Sequence, residues 1–171
     1  MCAAREQFAR CGYEGASLRD IAARASVDAA LINRYFGGKD ELFALVLSAA
    51  CRPDKLIEGD RAGFGLRFAE ALVSGPSPEQ SDKLEIIMLM MHAAMTPSGA
   101  RLTRQSLEAR FMEPFAAWLG GSDARVRAQL IWACLTGMMV DGQIWRGALS
   151  ESECTAFADR LAAMLQALVD G

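Results

Sequence analysis

Apolar residues recur at intervals of three and four along this chain, and no stretch alternates apolar with polar in the manner of a half-buried strand. That periodicity confines the fold to packed helices, and short Gly, Pro and Ser breaks divide it into elements. Ala4, Phe8 and Cys11 mark one face of a first helix that Gly12 stops. Ser17 is a good N-cap for a second helix, whose stripe is Leu18, Ile21, Ala22 and Ala25. Val27 bridges to Asp28, a second N-cap, and Ala29 to Phe36 forms a third short helix ended by Gly37-Gly38. Lys39 opens a fourth, with Leu42, Phe43, Val46 and Leu47 as its buried face. The pattern breaks at 51–60, at Cys51-Arg52-Pro53 and Gly59, and longer helices follow at about 61–74, 79–95, 98–119, 123–146 and 151–169. Pro114 should kink the third of these, and Ser150 is placed to cap the last. The expectation is an all-α chain: a head of residues 1–50 and a helical body of residues 51–171.

Composition agrees. The 171 residues are 52% apolar and 23% charged, with Ala, Leu, Met, Arg and Glu prominent, which excludes disorder and leans helical. A chain of this length needs no disulfide or metal to hold its core. Five cysteines (Cys2, Cys11, Cys51, Cys134, Cys154), widely spaced and without CxxC, read as small apolar fillers in a reducing compartment. With one histidine, His92, no metal centre or cofactor is expected. The longest purely apolar run, Ile86 to Met91, is far short of a membrane span, and Arg5, Glu6 and Arg10 interrupt any signal-peptide core. A cytoplasmic protein without a membrane partner is expected. The net charge of −3 divides into +1 over residues 1–52 and −4 beyond, so no basic patch announces nucleic acid. Contact with DNA would have to come from a few well-placed groups.

Residues 17–36, SLRDIAARASVDAALINRYF, supply them. Two short helices joined by a tight turn share one apolar set: Leu18, Ile21, Ala22, Val27, Ile32 and Phe36. That is the build of a helix-turn-helix, whose second helix enters a major groove. Ala22 and Ala25 let the helices cross closely, and Ala29 and Ala30 keep the leading end of the second slim.

The longer run GYEGASLRDIAARASVDAALINRYFGGKDELF resembles the N-terminal domain of TetR-family transcriptional regulators over about residues 3–50; beyond that, only length and helicity are similar. The resemblance implies that Ser17 caps and can bond a phosphate, and that Arg19 can read a base, most naturally guanine. It also implies that Asp28 opens a recognition helix whose groove side holds Ala29, Ala30 and Asn33, that Tyr35 meets backbone phosphate, and that Lys39 grips phosphate at a helix N-terminus. Each has a plainer alternative. Arg19 could pair with Asp20 or Glu14, Asn33 could be solvated, Tyr35 could pack between helices, and Arg34 reads as a solvated residue. Three features depart from the family pattern. Ser26 stands where Gly is usual, so a positive φ there would be strained. Asn33 replaces a usual Tyr and suits adenine N6/N7. The first helix starts almost at residue 1, without a basic lead-in, which implies fewer phosphate contacts and weaker salt dependence.

In the body, residues 128–140 are apolar almost all the way round, so that helix must be covered on both sides. One cover is a second chain. Leu130, Trp132, Leu135 and Met139, with Phe157, Leu161, Met164, Leu165 and Leu168 of the last helix, would form an intermolecular four-helix bundle, as the resemblance also implies. A larger intramolecular core is the alternative. A twofold homodimer would read a palindromic operator in double-stranded DNA, with half-sites about 34–36 Å or a multiple apart. Methionines crowd the middle helices and suit a pocket for a small, largely apolar effector. Met88, Met91, Met95, Met112 and Met138 are candidate lining, and His92, Trp118 and Gln143 could orient the ligand; core filling is the plainer role. Effector binding would favour one spacing of the two heads, with the fourth helix as lever. The function expected is a ligand-responsive regulator, a repressor rather than an activator. An enzyme is disfavoured by the lack of a phosphate loop, a GxSxG or a metal cluster. The competing reading is a TetR-like small-molecule or protein binder that has lost specific DNA binding.

Overall fold

The computed structural model describes residues 1–50, 57–73, 78–145 and 147–171, with backbone alone at 50 and 78–84. The described residues are helical and contain no strand. In chain order the helices are α1 (Cys2–Gly15), α2 (Leu18–Arg24), α3 (Ala29–Phe36), α4 (Lys39–Ala50), α5 (Phe64–Val73), α6 (Pro78–Ala94), α7 (Pro97–Leu107), α8 (Glu113–Leu119), α9 (Ala124–Ile144) and α10 (Glu151–Asp170). A π-helical turn, Glu108–Met112, separates α7 from α8. By packing the chain groups into two compact units, Met1–Arg52 with Glu79–Arg110, and Pro53–Pro78 with Phe111–Gly171. The helix-turn-helix segment therefore shares a packing unit with residues 79–110, which lie outside the head that composition marks off. Cys51 lies outside the described residues, as does most of the expected break at 51–60.

In the first unit, α1 packs on α2 and α4, α2 on α3, and α4 on α7. Phe8, Tyr13 and Phe43 form its aromatic centre, with Phe43 edge-on to both other rings at 5.1 Å. Leu42, Val46 and Leu47 are buried beside them, the face of α4 that the periodicity indicates. The first helix does not stop at Gly12. The backbone breaks there, at φ 68°, and turns helical again to Gly15. Cys11 is exposed, and Gln7 occupies the buried position instead, accepting from Arg10 at 2.7 Å. None of the four described cysteines is buried: Cys2 and Cys11 are exposed, Cys134 and Cys154 half-buried, so the filler role is not theirs. Val27 also departs from the expected core, at 45% exposure; its backbone N–H bonds the Ala22 carbonyl of α2 at 3.0 Å.

The second unit is built on a close crossing of α5 and α10. A Cβ on Gly65 would lie 2.1 Å from the Ala162 carbonyl oxygen, so only glycine lets the two backbones approach this far. Gln166 fixes the crossing: its side-chain oxygen accepts from the Gly65 N–H at 3.0 Å and its amide donates to the Arg61 carbonyl at 3.2 Å. Phe64, Phe115, Ile131, Leu165 and Val169 are fully buried around it. The expected helix 98–119 is interrupted by the π turn just ahead of Pro114. That proline has no N–H to offer the carbonyl four residues back, and its ring crowds that oxygen, so the preceding turn widens. Ser150 caps α10 in a reciprocal capping box with Glu153, whose carboxyl is held below its ordinary pKa by hydrogen bonds from the Ser150 hydroxyl and N–H.

Candidate nucleic-acid interface

The α2–turn–α3 segment is shaped by its caps. The Ser17 hydroxyl accepts the Asp20 N–H at 3.1 Å and donates to the Asp20 carboxylate at 2.7 Å. The Asp28 carboxylate accepts the Ala30 N–H at 2.7 Å, and Gly37, at φ 87°, closes α3 by bonding the Asn33 carbonyl. Ser26 is the one non-glycine residue with positive φ among the described residues, at 55°. The turn thus forms with a Cβ in the left-handed region that glycine occupies without strain. Ile32 alone is buried on α3.

The sequence-marked contact residues fall into three states. Arg19, Asn33 and Tyr35 are exposed, and their side chains make no hydrogen bond or ion pair with other described residues. The partners Arg19 could have taken are engaged elsewhere, Asp20 with Ser17 and Glu14 with the Ser98 hydroxyl. Tyr35, at 72% exposure, does not pack between helices; only the Arg34 guanidinium lies over its ring, at 5.9 Å. Lys39 is in a second state. It is half-buried, donates to the Glu14 carbonyl at 3.2 Å and sits 4.6 Å from the centre of the Tyr13 ring, which leaves part of its three-donor ammonium uncommitted. Ser17 and Asp28 are in the third, with their side-chain oxygens occupied as caps. Ala29 is half-buried and Ala30 exposed. Periodicity did not single out Leu31, which stands exposed on the first turn of α3. Beneath, the Tyr13 hydroxyl donates to Asp40, and burial first, then that bond, pushes the Tyr13 pKa up.

The residues marked for an effector divide between the units. Met88, Met91, His92 and Met95 lie on or just after α6 in the first, all exposed. His92 and Met95 line a cleft of about 240 Å³ with Arg10, Cys11, Tyr13 and Thr96. In the second unit Met112 is buried, Met138 half-buried and Gln143 exposed. Trp118 lies against Phe115 and under the Arg61 guanidinium, 4.9 Å from its ring centre. Of the residues marked for a subunit interface, Leu130, Phe157 and Met164 are exposed, and Trp132, Met139 and Leu168 half-buried. Leu135, Leu161 and Leu165 are already buried within their own unit and so cannot face a second chain.

Sequence reasoning gave no role to two arginines that organise the second unit. Arg61 donates to the carbonyls of Trp118 at 2.7 Å, Leu119 at 2.8 Å and Val169 at 2.7 Å. Arg127, buried, donates to Leu168 and Val169 at 3.1 Å each and to Gly120, and pairs with Asp123 at 2.8 Å. Both satisfy the orphan carbonyls at the C-termini of α8 and α10, where a cation also meets the negative end of the helix dipole.

Residues 1–46 match the family of bacterial regulatory proteins, tetR family, and residues 62–169 match the tetracyclin repressor-like C-terminal domain. Among solved structures, a transcriptional regulator from Rhodococcus sp. Rha1 is similar at 25% identity and a TM-score of 0.61, over 99% of this chain and 95% of its own. A TetR-family regulator from Streptomyces coelicolor A3 is similar at 23% identity and a TM-score of 0.50, over 99% and 92%. No curated protein matches. No described helix is long and apolar enough to cross a membrane.

Proposed function

The chain belongs to the tetR family of bacterial regulatory proteins, and from that premise we propose that it is a cytoplasmic repressor, not an enzyme, that binds palindromic DNA as a homodimer and is released by a small, largely apolar effector. Residues 1–50 carry DNA binding, and residues 51–171 carry the effector site and the dimer contact. The observation that supports this best is that Arg19, Asn33 and Tyr35 stand exposed around α2 and α3, with no side-chain hydrogen bond or ion pair to the described residues. An arginine with five free donors matches guanine O6/N7, and an asparagine matches adenine N6/N7. Tyr35 and the remaining donors of Lys39 meet phosphate, and the Ser17 hydroxyl joins them if it leaves Asp20.

The exposed apolar residues of α9 and α10 (Leu130, Phe157 and Met164) with half-buried Trp132, Met139 and Leu168 meet the same residues of a second chain. The methionines at 88, 91, 95, 112 and 138, with His92, Trp118 and Gln143, supply the effector contacts. An effector that binds one spacing of the two heads better lowers operator affinity by its differential affinity for the two states. The test is a gel-shift with fragments from upstream of the protein's own reading frame. Retention of a subset of fragments at physiological salt is expected, with Lys39→Ala weakening all of them alike. Failure to retain any duplex, even at low salt, would remove the reading.

A further inference from the structure

We infer that Leu31 is a specificity residue that reads the C5-methyl group of a thymine in each half-site. The inference rests on the DNA-binding reading above. A recognition helix addresses base edges with its N-terminal residues, and in α3 those are Ala29, Ala30 and Leu31. None of the three has a side chain that can donate or accept a hydrogen bond. The one polar group at that end, the Asp28 carboxylate, is committed to the Ala30 N–H at 2.7 Å. Readout by the leading turn is therefore apolar, and the thymine methyl is the apolar group that the major groove displays.

Leu31 is placed for it. It is 41% exposed, whereas its neighbour Ile32 is buried and anchors the helix. Val27, also exposed, stands in the turn just ahead of the Asp28 cap and is a second exposed aliphatic residue at that end of the segment. Helical side chains lean toward the N-terminus, so Leu31 covers the leading turn, not the trailing one. Charge fits the same occupant: α3 contains no acidic residue and carries the exposed Arg34, the Asp28 carboxylate ahead of it is turned to the Ala30 N–H, and Arg19 is exposed on α2. Leu31 and Asn33 would thus divide the half-site between a methyl and an adenine edge.

The experiment takes the full chain, selects duplexes from a random pool, and scans the selected half-site by replacing each thymine with deoxyuracil, which removes the methyl and nothing else. At one thymine position the wild-type protein should lose about three- to fivefold in affinity. Leu31→Ala should bind the methylated duplex that much more weakly and show no further loss with deoxyuracil. Leu66→Ala removes a leucine exposed on α5 and should keep the full sensitivity. Sequence-specific binding with no deoxyuracil effect, or an effect that survives Leu31→Ala, overturns the role of Leu31 and leaves the regulator reading intact. Selection of no duplex at all overturns both.

Discussion

Arginine serves opposite purposes in the two packing units. On α2, Arg19 is exposed and has no partner among the described residues, while Asp20 and Glu14 bond Ser17 and Ser98. In the second unit, Arg61 and Arg127 are committed to the carbonyls that end α8 and α10. A guanidinium with its donors spent holds helices together; one with its donors free can recognise something outside the chain. Residue type alone does not separate these roles. What separates them is whether the fold brings helix-end carbonyls within reach of the guanidinium.

The largest effect is expected where the commitment is deepest. Arg127→Met should destabilise the protein by about 3 kcal/mol, since it strips a buried guanidinium's charge-assisted bonds from helix-end carbonyls, of which that of Val169 is buried. Thermal melting would register this as a fall of roughly 6–12 °C, and a shift within a degree or two would show that those contacts hold nothing. Gly65→Ala comes next, at about 2–3 kcal/mol, because its Cβ would meet the Ala162 carbonyl at 2.1 Å and push α5 from α10. Urea titration measures it, and an unchanged midpoint would mean the crossing yields without loss.

The free arginine should behave in reverse. Arg19→Ala should leave the melting temperature within a degree while weakening DNA binding by about 1–3 kcal/mol and relaxing preference at one base pair. Anisotropy on the selected duplex and a single-mismatch panel would decide it; a stability loss with preserved preference would make Arg19 structural. Smaller still, Ser26→Gly should stabilise by about 0.5–1 kcal/mol, since glycine adopts φ 55° without the Cβ clash. Calorimetry would show whether that strain is present. The mildest effect concerns Glu153. Its folded pKa lies below the unfolded value, so its capping contribution is present above the unfolded pKa and is lost as pH falls through the folded one. Amide protection factors, taken relative to the intrinsic exchange rate at each pH, should fall selectively in the first turn of α10 on acidification.

Much of this was legible in the residues themselves. Caps at Ser17, Asp28 and Ser150, the glycine close at Gly37 and the buried face of α4 all follow from local chemistry, and the structure places them as the spacing indicates. Ser26 stands out because the family pattern has Gly there, with strain expected if φ were positive, and its φ is 55°. Three things were not legible. Gln7 is buried and Cys11 exposed, because the helix breaks at Gly12 and Cys11 stands at the end of its straight part. Leu135, Leu161 and Leu165 sit in the unit's own core: an all-round apolar helix does not say which of its faces is covered from within, and the apolar stripe of the last helix can serve an internal core as well as a second chain. Arg61 and Arg127 were invisible because their partners are backbone carbonyls, one of which, that of Val169, is more than a hundred residues from Arg61. Every residue has a carbonyl, so the sequence could not mark these.

The contrast between free and spent polar groups can be tested in one experiment, hydrogen–deuterium exchange of the full chain with and without a selected duplex at fixed salt. DNA should slow exchange across residues 17–39, where Arg19, Asn33, Tyr35 and Lys39 lie, and leave the helix ends held by Arg61 and Arg127 as slow as before. Bound duplex that protects the ends of α8 and α10 while residues 17–39 exchange freely would contradict the assignment of the recognition surface.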